Sequence, residues 1–195
     1  MMIKRLTRVA AFAVIAGLAA CTTPKPLIQA DPSLSQEQQL LRDGRFALLV
    51  FDRALERNTD SVQGNFRWLS QQERITLDLS SPLGQVLARV EVRPGHASMT
   101  RANGEYLEAS NPDELVAQVL GNPIPVTGLQ YWIHGRAMPM YSIEQAEYDE
   151  AKRLTRFQQA GWRVTMSDYD AQGPKRLALI RQVSNQRINV RISID

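Results

Sequence analysis

Apolar side chains recur at every second position through most of this chain. Ile75, Leu77 and Leu79 form one such run and Val86, Ala88, Val90 and Val92 another, while Ile188, Val190, Ile192 and Ile194 alternate with Asn189, Arg191 and Ser193. A period of two turns one face of an extended segment to a core and the other to solvent, so it predicts half-buried strands. Strands are expected on this basis over residues 44–51, 61–69, 74–79, 85–93, 97–101 and 105–109, and again over 151–159, 162–167, 176–181 and 187–194. Arg93-Pro94-Gly95 and Asn103-Gly104 stand between such runs. The second is a strong hairpin signal, because a tight two-residue connection needs residues that accept positive φ. Successive strands are therefore expected to be antiparallel neighbours.

The period changes at Asn111. Asn111-Pro112-Asp113-Glu114 sets a capping residue before a proline and two acids, and Leu115, Val116, Val119 and Leu120 then fall on one helical face before Gly121. That order predicts an amphipathic helix. A second helix is expected over 128–134, with Leu129, Trp132 and Ile133 as its apolar side, and a short one over 35–42, with Leu40 and Leu41 against the body. A single sheet of ten or so strands coils strongly or closes on itself. The expected fold is mainly β with α: an incomplete antiparallel barrel of about ten or eleven strands, with helices over its concave side. Its interior must be either packed or occupied, and a period of two reads the same in both cases.

The N-terminus follows other rules. Lys4, Arg5 and Arg8 precede an apolar run from Val9 to Ala20, which ends in Leu18-Ala19-Ala20-Cys21. A basic segment, a short hydrophobic segment and small residues before a cut make a secretory signal, here residues 1–20. The apolar run is about a dozen residues, short of the roughly 20 that a bilayer crossing needs. Cys21 is the one cysteine of the chain, and Leu-Ala-Ala-Cys resembles a bacterial lipobox, whose cysteine becomes the acylated N-terminus. Several acyl chains at about 0.8 kcal/mol per buried methylene anchor a protein firmly, where one chain is marginal. Thr22 stands where lipoproteins held in the inner membrane often carry Asp, which by that resemblance sends this chain to the outer membrane. Residues 21–33, with three prolines and little apolar pattern, read as a tether; twelve extended residues reach about 40 Å at most. Residues 34–195 are then one domain.

Charge removes one class of function. The chain holds 23 basic and 20 acidic residues, and three basic and no acidic residues lie in 1–20, so the mature chain has 23 − 3 = 20 basic against 20 acidic. Without a dense basic run there is no footprint for nucleic acid. Catalysis finds no candidate either. His96 and His134 stand outside any metal-ligand spacing, the serines lack a nucleophile elbow, no glycine-rich phosphate loop occurs, and Glu144, Glu147, Asp149 and Glu150 read as a solvated segment. A surface hydrolase would need a nucleophile with a paired base.

Two apolar features remain. Ser80-Ser81-Pro82-Leu83-Gly84 joins two expected strands, and Leu83 at its tip either tucks into the core or projects as an apolar probe. Trp68 alternates with Phe66, so both share one strand face, where they fill a core or line a cavity.

The lipobox, Phe66-x-Trp68, Leu79-x-x-Pro82-Leu83-Gly84, Gly121-x-Pro123-Ile124-Pro125, Leu129-x-x-Trp132-Ile133-x-Gly135 and Gly161-Trp162-x-Val164 together resemble the outer-membrane lipoprotein receptor family LolB. Residues 137–153 match no motif of it. The resemblance implies an unclosed barrel lidded by helices, anchored through Cys21 at the periplasmic face of the outer membrane. It implies no enzyme activity and no cofactor. The task is to accept acylated lipoproteins from the periplasmic carrier LolA and place them among the phospholipids of the inner leaflet. Pro82-Leu83-Gly84 is then the membrane-insertion loop. Phe66, Trp68, Leu115, Val119, Leu129, Trp132 and Ile133 are the expected acyl-chain cavity, and the receptor is expected to act as a monomer. The competing reading is a lipid-anchored assembly scaffold with a packed barrel.

Overall fold

In the computed structural model of the chain, residues 28–35 and 38–195 are described; Cys21 and the expected signal segment lie outside them. The alternating runs build eleven strands in one sheet: β1 (Gln39–Asp52), β2 (Arg57–Gln71), β3 (Arg74–Ser80), β4 (Val86–Arg93), β5 (His96–Arg101), β6 (Tyr106–Ala109), β7 (Glu144–Tyr148), β8 (Leu154–Gln159), β9 (Trp162–Tyr169), β10 (Pro174–Val183) and β11 (Gln186–Ile194). All pairings are antiparallel, in the order β6-β5-β4-β3-β2-β1-β11-β10-β9-β8-β7. Edges β6 and β7 do not pair, so the barrel stays open, as expected from the sequence.

Between those two edges the chain makes α1 (Pro112–Leu120) and α2 (Val126–Trp132). The side chain of Asn111 accepts from the Asp113 amide and Pro112 opens the first turn, where no N–H is missed. Gly121 closes the helix in the left-handed region at φ 72°, a conformation cheap only for glycine. Asp113 ties the helices together by accepting from both N–H and Oγ1 of Thr127. α1 packs on β4, β5, β6 and α2. At the other side of the gap, Trp132 of α2 meets Phe157 of β8 edge to face at 6.2 Å between centroids. The helices thus span the opening and press their apolar side onto the concave face.

One expectation is corrected and one extended. The helix expected over 35–42 is replaced by the start of β1. Leu40, Arg42, Phe46, Leu48 and Val50 are all buried, a period of two that already runs at Leu40. Adjacent Leu40 and Leu41 mimic a helical face, but pairing with Ser70 and Leu69 puts them on opposite sides of the sheet. The second difference is β7: the acidic segment is solvated, as read, but it is also a strand. Its five residues are all exposed, so no apolar period marks it. It is held instead by its pairing with β8, by the Glu147–Arg156 ion pair at 3.0 Å and by Gln158 donating to Gln145. A short, bulged, charged edge strand also resists pairing with other chains. Smaller shifts move the second helix to start at Val126 and lengthen β2 beyond 61–69.

Candidate functional site

The site begins with what alternation places inside. Phe46, Phe66, Trp68, Leu77, Leu79, Leu177 and Ile192 face inward from the sheet, and Val116, Ile124, Val126, Leu129 and Ile133 face them from the helical segment. Between these two walls runs a wholly apolar crevice. Its free volume is about 30 Å³, within an envelope of about 460 Å³ that includes its open part. Register explains the sheet wall: Phe66 pairs with Leu79 and Trp68 with Leu77. Two glycines let the rings lie flat. A Cβ on Gly44 would come within 2.9 Å of the Phe66 ring, and one on Gly64 within 3.0 Å of the Phe46 ring. Both would also run into backbone carbonyl oxygens, of Ser193 and Ser80 respectively.

Polar ties between lid and sheet stand at the crevice's edges. Gln159 is buried on β8; its Oε1 accepts from Trp132 Nε1 at 3.2 Å and the Met138 amide at 2.8 Å. Its Nε2 donates to the carbonyls of Met138 and Tyr141. Asn122 donates to Asp60, and Arg101 to the Gln118 carbonyl.

Toward the start of β3 the same faces open into a broad cleft of about 1380 Å³. Leu40, Ile75 and Val92 lie inside it, and Gln72, Arg93, Asn111, His134 and Arg136 stand on its rim. Ile75 lines this mouth and Leu77 and Leu79 the crevice, so one apolar strand face runs from wide to narrow. Beside the mouth the buried guanidinium of Arg42 donates to Asp170 at 2.6 Å, to Gln172 and to the Pro174 carbonyl. That hydrogen bond holds the Asp170 carboxyl below the usual carboxylate range. Burial, and then the charges of Arg136 and Arg42, hold His134 below the ordinary imidazole value.

At the far end of β3 stands the loop 81–85. Gly84 N donates to the Ser81 carbonyl, Ser81 N to the Gln85 carbonyl, Gln85 N to Ser81 Oγ, and Asn65 Nδ2 to the carbonyls of Ser81 and Pro82. Gly84 takes φ 86°. The loop is therefore fixed, and it holds Leu83 98% exposed.

Of the residues the sequence offered for the cavity, Phe66, Trp68, Leu129 and Ile133 line the crevice. Leu115 and Trp132 are buried in packing around it, and Val119 is half-buried against the same core. Sequence reasoning missed Phe46, Leu77, Leu79, Val116, Ile124, Val126, Leu177 and Ile192. Their inward phase was legible in the alternation, but which inward positions meet the lid depends on where the helices land.

The fold and the site together define an open, helix-lidded antiparallel β-barrel with an apolar seam between lid and sheet. The comparison with known proteins narrows this. Residues 42–195 match the family model "Outer membrane lipoprotein LolB". The chain is 44% identical to the outer-membrane lipoprotein LolB of Bordetella pertussis (strain Tohama I), over 94% of this chain and 89% of that one. It is 40% identical to that of Bordetella petrii, over 92% and 89%, and 33% identical to that of Cupriavidus metallidurans, over 91% and 89%. Among solved structures, the ywiB protein from Bacillus subtilis aligns over 81% of this chain and 94% of that one at 8% identity, with a TM-score of 0.27.

The chain belongs to the LolB family of outer-membrane lipoproteins. The family receives lipoproteins from LolA and inserts them into the outer membrane, a transfer without catalysis.

Proposed function

We propose that the crevice takes up the acyl chains of lipoproteins delivered by LolA, that Leu83 enters the inner leaflet, and that Cys21 is the acylated anchor. The observation that carries this reading is the crevice itself, wholly apolar and bounded by two walls that are separate elements of the fold. An acyl chain in water costs about 0.8 kcal/mol per methylene, so it must pass between apolar surroundings with little wet exposure. A dry cavity of about 150 Å³ is what holds a benzene molecule, and the seam offers about 30 Å³. Uptake therefore requires α1 and α2 to move off the sheet. Lid side chains leave the sheet wall as the acyl chain takes their place, exchanging one apolar contact for another. Binding stronger than the carrier's and weaker than the bilayer's lets the chains run downhill without a nucleotide. Outer-membrane phospholipid is the partner of Leu83, and the receptor acts as a monomer.

The small resting volume is also what favours a second reading, a scaffold whose barrel stays packed. A fluorescent fatty acid titrated into the soluble domain lacking Cys21 separates the two. Saturable uptake, displaced by an acylated lipoprotein, is expected; no saturable uptake by a folded domain would leave the scaffold.

A further inference from the structure

We infer that residues 28–35 are a strap clamped along the convex face, and that the clamp keeps Cys21 within chain reach of the end of the barrel that carries Leu83. The inference rests on the reading of Leu83 as the membrane loop. Its observations lie on the outside of β1, β2 and β3, away from the crevice. Asp78 is fully buried there although it faces outward. Its carboxylate accepts from Arg89 Nε at 2.6 Å and Nη2 at 2.7 Å, and Oδ2 also accepts from the Ile28 amide at 3.1 Å. Arg67 forks onto Asp43 at 2.6 and 2.8 Å, and its Nη1 donates to the Ile28 carbonyl at 3.1 Å. Both backbone groups of Ile28 are thus held by charged side chains, the stronger class of hydrogen bond. Further along, Gln39 accepts from the Asp31 amide and donates to the carbonyls of Asp31 and Leu34.

The register gives the strap a direction. Gln39 pairs with Gln71, beside the mouth, whereas Arg67 and Asp78 are paired four residues along β2, and Ser80 lies two residues beyond. At about 3.3 Å per residue the strap travels roughly 13 Å toward the Leu83 end. Ile28 lies seven positions after Cys21, a reach of about 25 Å at most. Leu83 is five residues beyond Asp78, on the order of 17 Å, so the anchor can reach the leaflet that the loop enters. Without the ties to Ile28, Asp31 and Leu34 the chain span from Cys21 to the first held residue would lengthen from seven positions to the eighteen that reach Gln39. Effective concentration falls as about the −3/2 power of length, so the loop's presence at the membrane drops roughly fourfold.

Ile28→Pro removes the amide that donates to Asp78, and Gln39→Ala in the same chain removes the side-chain ties to Asp31 and Leu34. In the full-length acylated protein on liposomes, transfer of a bound lipoprotein should slow roughly fourfold, while the unanchored domain carrying the same two substitutions keeps its wild-type rate. Amide exchange at Asp31 should be slow in the wild type and fast in the variant. The strap is overturned if the anchored variant transfers at the wild-type rate, if both forms slow equally, or if Asp31 exchanges freely in the wild type. Normal transfer by anchored Leu83→Glu would instead overturn the membrane-loop reading.

Discussion

Leu79 and Leu83 are four residues apart, yet Leu79 is 3% exposed on the crevice wall and Leu83 is 98% exposed at a loop tip. Both belong to the same strand and its turn. The difference is backbone. Leu79 keeps the inward phase of β3, opposite Phe66. Leu83 is carried past the strand's end by a turn whose amides and carbonyls are bonded among themselves and to Asn65, and the fold gives it nothing to pack on. An apolar side chain left in water by a loose loop would be incidental; one held there by a fixed loop is presented. The contrast teaches that this protein keeps two apolar surfaces, one shut between lid and sheet and one displayed at a loop tip.

Substitutions on either side of that contrast should behave oppositely. Trp68→Ala opens the sheet wall and should cost about 3–5 kcal/mol in denaturant unfolding, with Leu79→Ala close behind. Leu83→Ala, by contrast, should stay within about 0.5 kcal/mol of wild type. A cost below 1 kcal/mol for Trp68→Ala would mean that the wall is not packed at rest. Val126→Phe adds volume to the lid wall and should cost about 1–3 kcal/mol while abolishing most fatty-acid uptake; unchanged uptake would place the chains elsewhere. Gly84→Ala keeps Leu83 but strains a φ of 86°, and a loss of about 1–2 kcal/mol is expected. The smallest effect is in pH. His134 has a folded-state value below that of the unfolded chain, so its contribution is present above the ordinary imidazole value of about 6.5 and is lost as pH falls through the folded value. A His134→Gln variant should flatten that part of the stability profile; an unchanged slope would show that another group titrates there.

Much of this was legible beforehand. The meander, the helix capped by Asn111 and the open barrel follow from period, caps and turns, and the loop at Leu83 was singled out as a choice between tucking and projecting. The rest depended on contacts between distant segments. Leu40 and Leu41 look helical until β2 pairs with them, and β7 has no apolar face for a pattern to reveal. Trp132 shares a motif with Leu129 and Ile133, yet Gln159 and Phe157 hold it in the surrounding core. The size of the interior was beyond any periodicity, because filled and hollow barrels alternate alike. Nor could the sequence show Asp78 buried on the convex side under residues it read as a tether.

The most direct test of the account is the rate at which lipoprotein already bound to the Leu83→Glu receptor passes to liposomes. With stability and uptake equal to wild type, transfer should fall by at least about tenfold, since a buried carboxylate in the leaflet costs on the order of 2.5–3.5 kcal/mol. Transfer at the wild-type rate would contradict the claim that the displayed leucine and the closed crevice are two halves of one delivery device.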